Sequence, residues 1–262
     1  MNNDKLKGLM WGSLLGDAYE TKAFTLYGKQ ALWLLEYMNE SKVYDPFIFA
    51  NIWQEKMNSY EGVLDKASKD SLSNLKSGRS CLGAGSGSHD LSVVGRHAPI
   101  LFTLKGMDEM LESVKFHNCL THMTKETIDA SKYIAEVTLA MIYNLDVENT
   151  LLERAKFYGE EVKDEVEKAL ALKDKPVNVA LSALGTHSHV HGALASTIYL
   201  LLNYHNDFET LLKVNREAGG DVSARAMIAG MIIGARYGFK HIQPLWIEEL
   251  EEYQTLTSLI DI

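Results

Sequence analysis

The sequence is poor in cysteine and proline, and it has no long apolar run. Cys81 and Cys119 are the only cysteines in 262 residues. Two are too few for a disulfide framework, and no CxxC pair suggests zinc. Four widely spaced prolines favour long helices, because proline breaks helix interiors. No stretch of about 18 apolar residues occurs, so no membrane span is expected. The opening MNNDKLKGLMWGSLLGD lacks the apolar core and cleavage-like end of a signal peptide, and a reducing, cytoplasmic location is the default expectation. Positive charge is also scarce, with 26 basic against 35 acidic residues and a net charge of −9. That balance argues against nonspecific nucleic-acid binding, which depends on clustered Lys and Arg. It leaves room for a small anionic ligand held by backbone N–H groups.

What is present is helical periodicity. With 46% hydrophobic residues the chain can bury a sizeable core, and strand-like alternation is almost absent. In 5–17, Leu6, Leu9, Met10, Ser13, Leu14 and Asp17 share one face at spacings of three and four, while Gly8, Gly12 and Gly16 line another. Glycine in a helix costs about 1 kcal/mol against alanine, so such a stripe implies close helix approach. Ala226, Gly230, Gly234 and Gly238 repeat the spacing. The two helices are therefore expected in the centre of the fold, each against a neighbour and conceivably against each other. Further helices are expected over 29–38, 46–57, 107–118, 124–145, 188–203 and 206–216. Residues 58–98, rich in serine and glycine, form the least regular segment and the best candidate for a functional loop. The charged run 150–173 reads as a solvated helix face. The expectation is an all-α protein, a compact orthogonal multi-helix bundle forming one domain over 1–262.

Four places hold residues suited to chemistry. Asp17 lies on the apolar face of the first helix, where a buried carboxylate needs partners. Glu20 follows one turn later, and paired carboxylates can divide acid and base roles in glycosidic chemistry. A structural, hydrogen-bonded Asp17 is the competing reading. GAGSGSHD (83–90) can present N–H groups to phosphate, or it is a flexible turn. GTHSHVHG (185–192) carries three of the nine histidines. In an extended segment all three share a face; in a helix only His187 and His191 do, at a metal-pair spacing. A polar loop is the alternative. Asp221, after two glycines, is well placed as an N-cap.

Taken together, four segments resemble the ADP-ribosylglycohydrolase family. GSLLGDAYE (12–20) is similar to its opening helix motif, GSGSHDLSVVGRHAPI (85–100) to its glycine-rich loop ending in M-R-x-x-P, LTHMTKETIDASKY (120–133) to its T-H-x-(D/N)-P helix entry, and VNREAGGDVSARAMIAGMIIGARYG (214–238) to its N-x-G-G-D-T-D-T segment. The resemblance implies an all-α fold. It also implies a cleft with two Mg²⁺ or Mn²⁺ ions that orient ribose hydroxyls and activate water to cleave an ADP-ribosyl glycosidic bond.

The departures from that pattern change the expectation. Where the family has T-D-D-T at the start of its second core helix, the nearest equivalent reads Tyr27-Gly28-Lys29-Gln30-Ala31, and G-G-D-T-D-T reads Gly219-Gly220-Asp221-Val222-Ser223-Ala224. Several anionic ligands are needed to offset a binuclear centre, so no metal ligand set and no cofactor are expected here. The resemblance and the titratable residues nominate Asp17, Glu20, Asp221, His187 and His191 as catalytic. Gly85, Ser86, Gly87, Ser88, His89, Arg96 and His122 are nominated to hold substrate, with Lys29 or Arg225 replacing metal charge. Three functions stay open: a metal-independent hydrolase or lyase for a ribosyl or ADP-ribose-like bond, a binding protein that keeps the fold without catalysis, and a metal-dependent hydrolase with a relocated site. A small-molecule or ADP-ribosyl-like ligand is the expected partner, with no nucleic acid and no membrane.

Overall fold

Polar caps set where half of the helices begin. Asn2, Thr25, Asp45, Asp65, Thr124, Asp146, Asp207 and Asp221 each accept a hydrogen bond from an N–H in the helix they precede, satisfying donors that lack an intrahelical partner. All four prolines also stand at helix starts: Pro46, Pro99 and Pro244 in first turns and Pro176 one residue before a helix. The structure, a computed structural model, describes residues 2–260. In chain order it contains α1 (Asn3–Ala18), α2 (Leu26–Ser41), α3 (Pro46–Asn58), α4 (Lys66–Lys76), α5 (Ser92–Gly95), α6 (Ala98–Thr103), α7 (Met107–Thr121) and α8 (Lys125–Ile142). It continues with α9 (Val147–Ala155), α10 (Glu160–Ala171), α11 (Val177–Leu184), α12 (Val190–Tyr204), α13 (Phe208–Ala218), α14 (Val222–Tyr237), α15 (Pro244–Glu248) and α16 (Tyr253–Ile260). Among the described residues there is no β-strand, only isolated bridges at Ser86–His122 and Asp90–His189. The fold is all-α. No described helix is long and apolar enough to cross a membrane.

The glycine stripes meet. Gly8, Gly12 and Gly16 of α1 face Gly234, Gly230 and Ala226 of α14 in antiparallel register. A Cβ on Gly12 would lie 2.2 Å from the Gly230 carbonyl oxygen, and one on Gly230 would lie 2.0 Å from that of Gly12. The backbones touch, and this pair forms the axis of the core. From Gly8 to Ala18 and from Ala224 to Ala235 every residue is buried. Helices α5, α8, α12 and α13 pack around α14, and α2, α6 and α8 against α1.

Several boundaries differ from expectation. Helix α2 starts at Leu26 rather than 29. Residues 58–98 are not wholly irregular: α4 lies inside them, burying Ser68 and Ser71 beside Ala67 and Leu72. The run 150–173 divides into α9 and α10, and its solvated face has one exception. Glu165 is 1% exposed and accepts the Gly192 N–H at 2.6 Å and a Lys168 ammonium bond at 2.6 Å. That N–H is free because α12 is broken at its start. His191 is extended and Gly192 has φ +93°, and a Cβ there would meet the Leu184 carbonyl oxygen at 2.5 Å. Helices α5, α6, α11, α15 and α16 and a 3₁₀ turn Phe239–His241 lie outside the expected helices.

Candidate functional site

The last turn of α1, the first turn of α2 and the Gly219-Gly220 turn before α14 converge. Asp17 is 5% exposed. It accepts the Thr25 N–H at 2.7 Å and the Thr25 hydroxyl at 2.6 Å, with the Gly28 N–H as a further donor. Burial pushes its carboxyl up to about 6, against the pull of these bonds and with a further upward push from Asp221. Gly28 has to be glycine here, since a Cβ would lie 2.3 Å from Asp17 Oδ2.

Asp221 caps α14 by accepting the Ala224 N–H at 3.2 Å, and the Tyr27 phenol donates to its other oxygen at 3.4 Å. Burial raises its carboxyl above the usual range, although Ala224 and the Arg225 charge oppose this. The Tyr27 phenol is raised as well, by burial and then by Asp221, and stays a proton donor. These groups open on a cleft of about 410 Å³ whose lining includes Thr25, Tyr27, Asp65, Asp221 and Ser223 and contains no Lys, Arg or His. Asp17 and Glu20 both line a smaller adjoining recess of about 80 Å³. A cleft of about 460 Å³ between α11 and α13 has Glu217 as its one charged group. Convergent polar groups with displaced pKa values favour the Asp221 cleft as the site.

A family model for ADP-ribosylglycohydrolase matches residues 2–262. The chain belongs to the ADP-ribosylglycohydrolase family. A solved structure titled "ADP-ribosylglycohydrolase-related protein complex" shares the fold, with a TM-score of 0.80 at 19% identity over 98% of this chain and 96% of that one. No curated protein matches.

Within this family the start of the second helix is where the resemblance places two metal-binding aspartates. In the structure that start is Thr25-Leu26-Tyr27-Gly28, two residues before the segment matched from sequence. An aliphatic side chain and a phenol occupy the two acidic positions. Asp17 has both oxygens taken by Thr25, and Asp221 is engaged by Ala224 and Tyr27. Among the described residues no group of three or more His, Cys, Asp or Glu is arranged to hold a metal ion. The donor set does not fit a binuclear Mg²⁺ or Mn²⁺ centre.

The remaining nominated residues separate. Lys29 ion-pairs with Glu252 and not with Asp17 or Asp221, so it does not replace metal charge. Glu20 is exposed and pairs with Arg216 at 3.3 Å. Arg225 is fully buried and does not line the Asp221 cleft. It donates to Asn215 Oδ1 at 2.7 Å and to the carbonyls of Thr186 and Gly219 at 2.5 Å each, tying the GGD turn to the 185–189 loop. Arg225→Met should therefore leave Asn215 Oδ1 buried and unpaired, take the guanidinium from the Thr186 and Gly219 carbonyls, and lower the unfolding free energy by about 2–4 kcal/mol. Urea titration checks this, and a loss below about 1 kcal/mol would contradict the stapling role.

Arg96 and His122 are buried beneath the glycine-rich loop, 2% and 1% exposed, and cannot meet a ligand in the cleft. Within Gly85, Ser86, Gly87 and Ser88, the Ser86 N–H goes to the Thr121 carbonyl and the Ser88 N–H to Ser86 Oγ. Those two amides are spent inside the protein. His187 and His191 are not the helical pair, because 185–189 is a loop. Instead His189 stacks on His89 at 4.9 Å and on His191 at 5.2 Å between ring centroids, across the Asp90–His189 bridge. None of these four rings lines the Asp221 cleft. Sequence reasoning missed Thr25 and Asp65 as site residues. Each precedes its helix as a cap, and the cap signal is the one that could have found them.

Proposed function

We propose that this family member cleaves a ribosyl glycosidic bond without a divalent metal, with Asp221 as the carboxylate facing the sugar. One observation carries the reading: the cleft presents Asp221 and Asp65 and no cation in its lining. Glycosidic cleavage passes through an oxocarbenium-like transition state, and fixed negative charge in a partly enclosed site stabilises it. As the anomeric bond breaks, Asp221 takes a proton from the attacking water. Its raised carboxyl is a better base than an ordinary aspartate. Tyr27 orients it, and Asp17 positions Thr25 and the start of α2 from behind.

The lining offers no strong acid for the leaving group. A substrate whose aglycone departs neutral from a cationic N-glycoside needs none, so the reading favours that class over a diphosphate-bearing ADP-ribosyl group. The setting we propose is cytoplasmic, in keeping with two free buried cysteines. A non-catalytic binding protein is the second reading, favoured by the internal satisfaction of both Asp17 oxygens.

The test is hydrolysis of N-ribosyl pyridinium and ADP-ribosyl substrates in EDTA and with added Mg²⁺ or Mn²⁺. Turnover should persist in EDTA. Asp221→Asn, which keeps the capping oxygen, should lower kcat/KM by about 10²–10⁴-fold with the unfolding midpoint retained. Turnover that requires a divalent ion, or that survives Asp221→Asn, would overturn this assignment. Binding without turnover would establish the second reading.

A further inference from the structure

Behind the cleft, where α2, α6 and α7 meet the end of α5, lies a set of fully buried polar side chains that the proposed chemistry does not use. Arg96 is its centre. Its guanidinium donates to Gln30 Oε1 and, at 2.6 Å, to Thr121 Oγ1, and its Nε has no partner. Among the described residues no carboxylate forms an ion pair with it. The opposite charge that acts on it most is Asp65, which caps α4 instead. Gln30 Nε2, both ring nitrogens of His97, His117 Nε2 and His122 Nε2 are likewise buried without partners.

Proton bookkeeping shows what these orphans are. Gln30 Oε1 already accepts from Trp53 Nε1 and Arg96, so its free end is the NH₂ donor. Thr121 Oγ1 accepts from Arg96 and lies 2.9 Å from His122 Nδ1. In the tautomer where the hydroxyl donates to that nitrogen, His122 carries its hydrogen on Nε2. A neutral His97 has one N–H, which the Val94 carbonyl draws, and one lone pair, so it adds no free donor. The imidazoles are held neutral by burial and by the Arg96 charge. Tyr44, Tyr27, Cys81 and Cys119 are the other titratable groups around the cluster, and burial keeps Tyr44 and both thiols protonated. The surplus is therefore of donors, around one uncompensated cation.

Water offsets none of the Arg96 charge, and each molecule brings two further hydrogens that need acceptors. A small monovalent anion accepts from several donors, donates nothing and offsets the buried charge. A cation is disfavoured by Arg96 itself. We infer that the Arg96, Gln30 and His122 cluster binds a buried halide-sized anion, chloride in the simplest case, which stabilises the fold behind the candidate site.

The decisive measurement is diffraction at the bromine absorption edge from crystals of the wild-type protein equilibrated with sodium bromide. An anomalous peak in the interior, within hydrogen-bond reach of Arg96 Nε and at least one of Gln30 Nε2 or His122 Nε2, is expected. Bromide confined to the surface, or water alone in the cluster, overturns the inference. In solution, Tm should rise with the logarithm of chloride concentration at ionic strength held constant with gluconate. Arg96→Met should lose that dependence. A chloride effect that persists in Arg96→Met would overturn the site. If Arg96→Met does not fold, the wild-type bromide map alone decides.

Discussion

Gly230→Ala should unfold at far lower urea concentration than the wild type, or fail to accumulate as folded protein. In an isolated helix the same change is favourable by about 1 kcal/mol, so propensity and packing disagree about its sign. Packing wins because the neighbour is backbone. The new Cβ would meet the Gly12 carbonyl oxygen at 2.0 Å and the Phe208 ring at 3.1 Å, and no rotamer change relieves a clash with a carbonyl. Helices α1 and α14 must part along the axis of the core, loosening buried neighbours such as Leu9, Leu15, Ile228 and Met231. Overpacking usually costs about 1–3 kcal/mol, and separation of two central backbones belongs in the rare class above about 4 kcal/mol. Gly12→Ala should behave alike, because its Cβ would lie 2.2 Å from the Gly230 oxygen. Gly87→Ala, with nothing within 4 Å, is the control and should be close to neutral. A Gly230→Ala protein within about 1 kcal/mol of wild type would mean that the contact between α1 and α14 is not as close as described.

The stripes were legible because close approach needs small residues at one spacing, and a local pattern records that need directly. The start of α2 was not. Gly28 stands in the first turn of α2, where it admits the Asp17 carboxylate. The expected start at 29 lies three residues late, and the acidic motif was matched to Tyr27–Ala31. With Thr25 recognised as the cap, Leu26 and Tyr27 fall on the two lost acidic positions. Lys29 then sits one turn inside, beside Glu252.

The roles of the arginines were illegible for a different reason. Arg225 follows the GGD turn closely and looks like a cleft cation. Its acceptors include a carbonyl 39 positions away, at Thr186, and no local pattern shows that. The histidines divide likewise. His187, His189 and His191 alternate as an extended segment does, but their partner ring, His89, comes from the glycine-rich loop. Asp17 was legible as a buried carboxylate in need of partners, and Asp221 as a cap. The Asp221 cleft also depends on Tyr27, which carries no motif of its own, and on Asp65, marked only as a helix cap.

Acid should destabilise the protein steeply between about pH 6.5 and 4.5, and the slope follows from groups of opposite sign. His97, His117 and His122 are neutral in the fold, His97 lowered to about 3 and the other two well below the ordinary value of 6.5, chiefly through burial and then through Arg96 or a neighbouring histidine. Below about pH 6.5 the unfolded chain takes a proton on each and the folded chain does not. Stability therefore rises with pH here, by about 1.4 kcal/mol per pH unit for each imidazole. Asp17 opposes them. Its carboxyl is raised to about 6 from 3.8, so between those values the folded state holds a proton that the unfolded state releases, and its contribution falls as pH rises. His189 is lowered in the same sense as the imidazoles and Asp221 is raised in the sense of Asp17; with these two set against each other, three imidazoles against one carboxyl leave a net slope of about 3 kcal/mol per pH unit near pH 5. A fold stable by about 5–15 kcal/mol loses much of its margin over that range. Urea titrations at pH 7, 6, 5 and 4.5 measure it, and two variants divide it. His117→Phe keeps a ring beside Phe49 and Tyr44 and should flatten the slope by about 1.4 kcal/mol per unit. Asp17→Asn removes the opposing group and should steepen it between pH 4 and 6. Stability that is level from pH 7 to 5, or two variants that shift the slope in the same direction, would show that these buried groups do not set the response to acid.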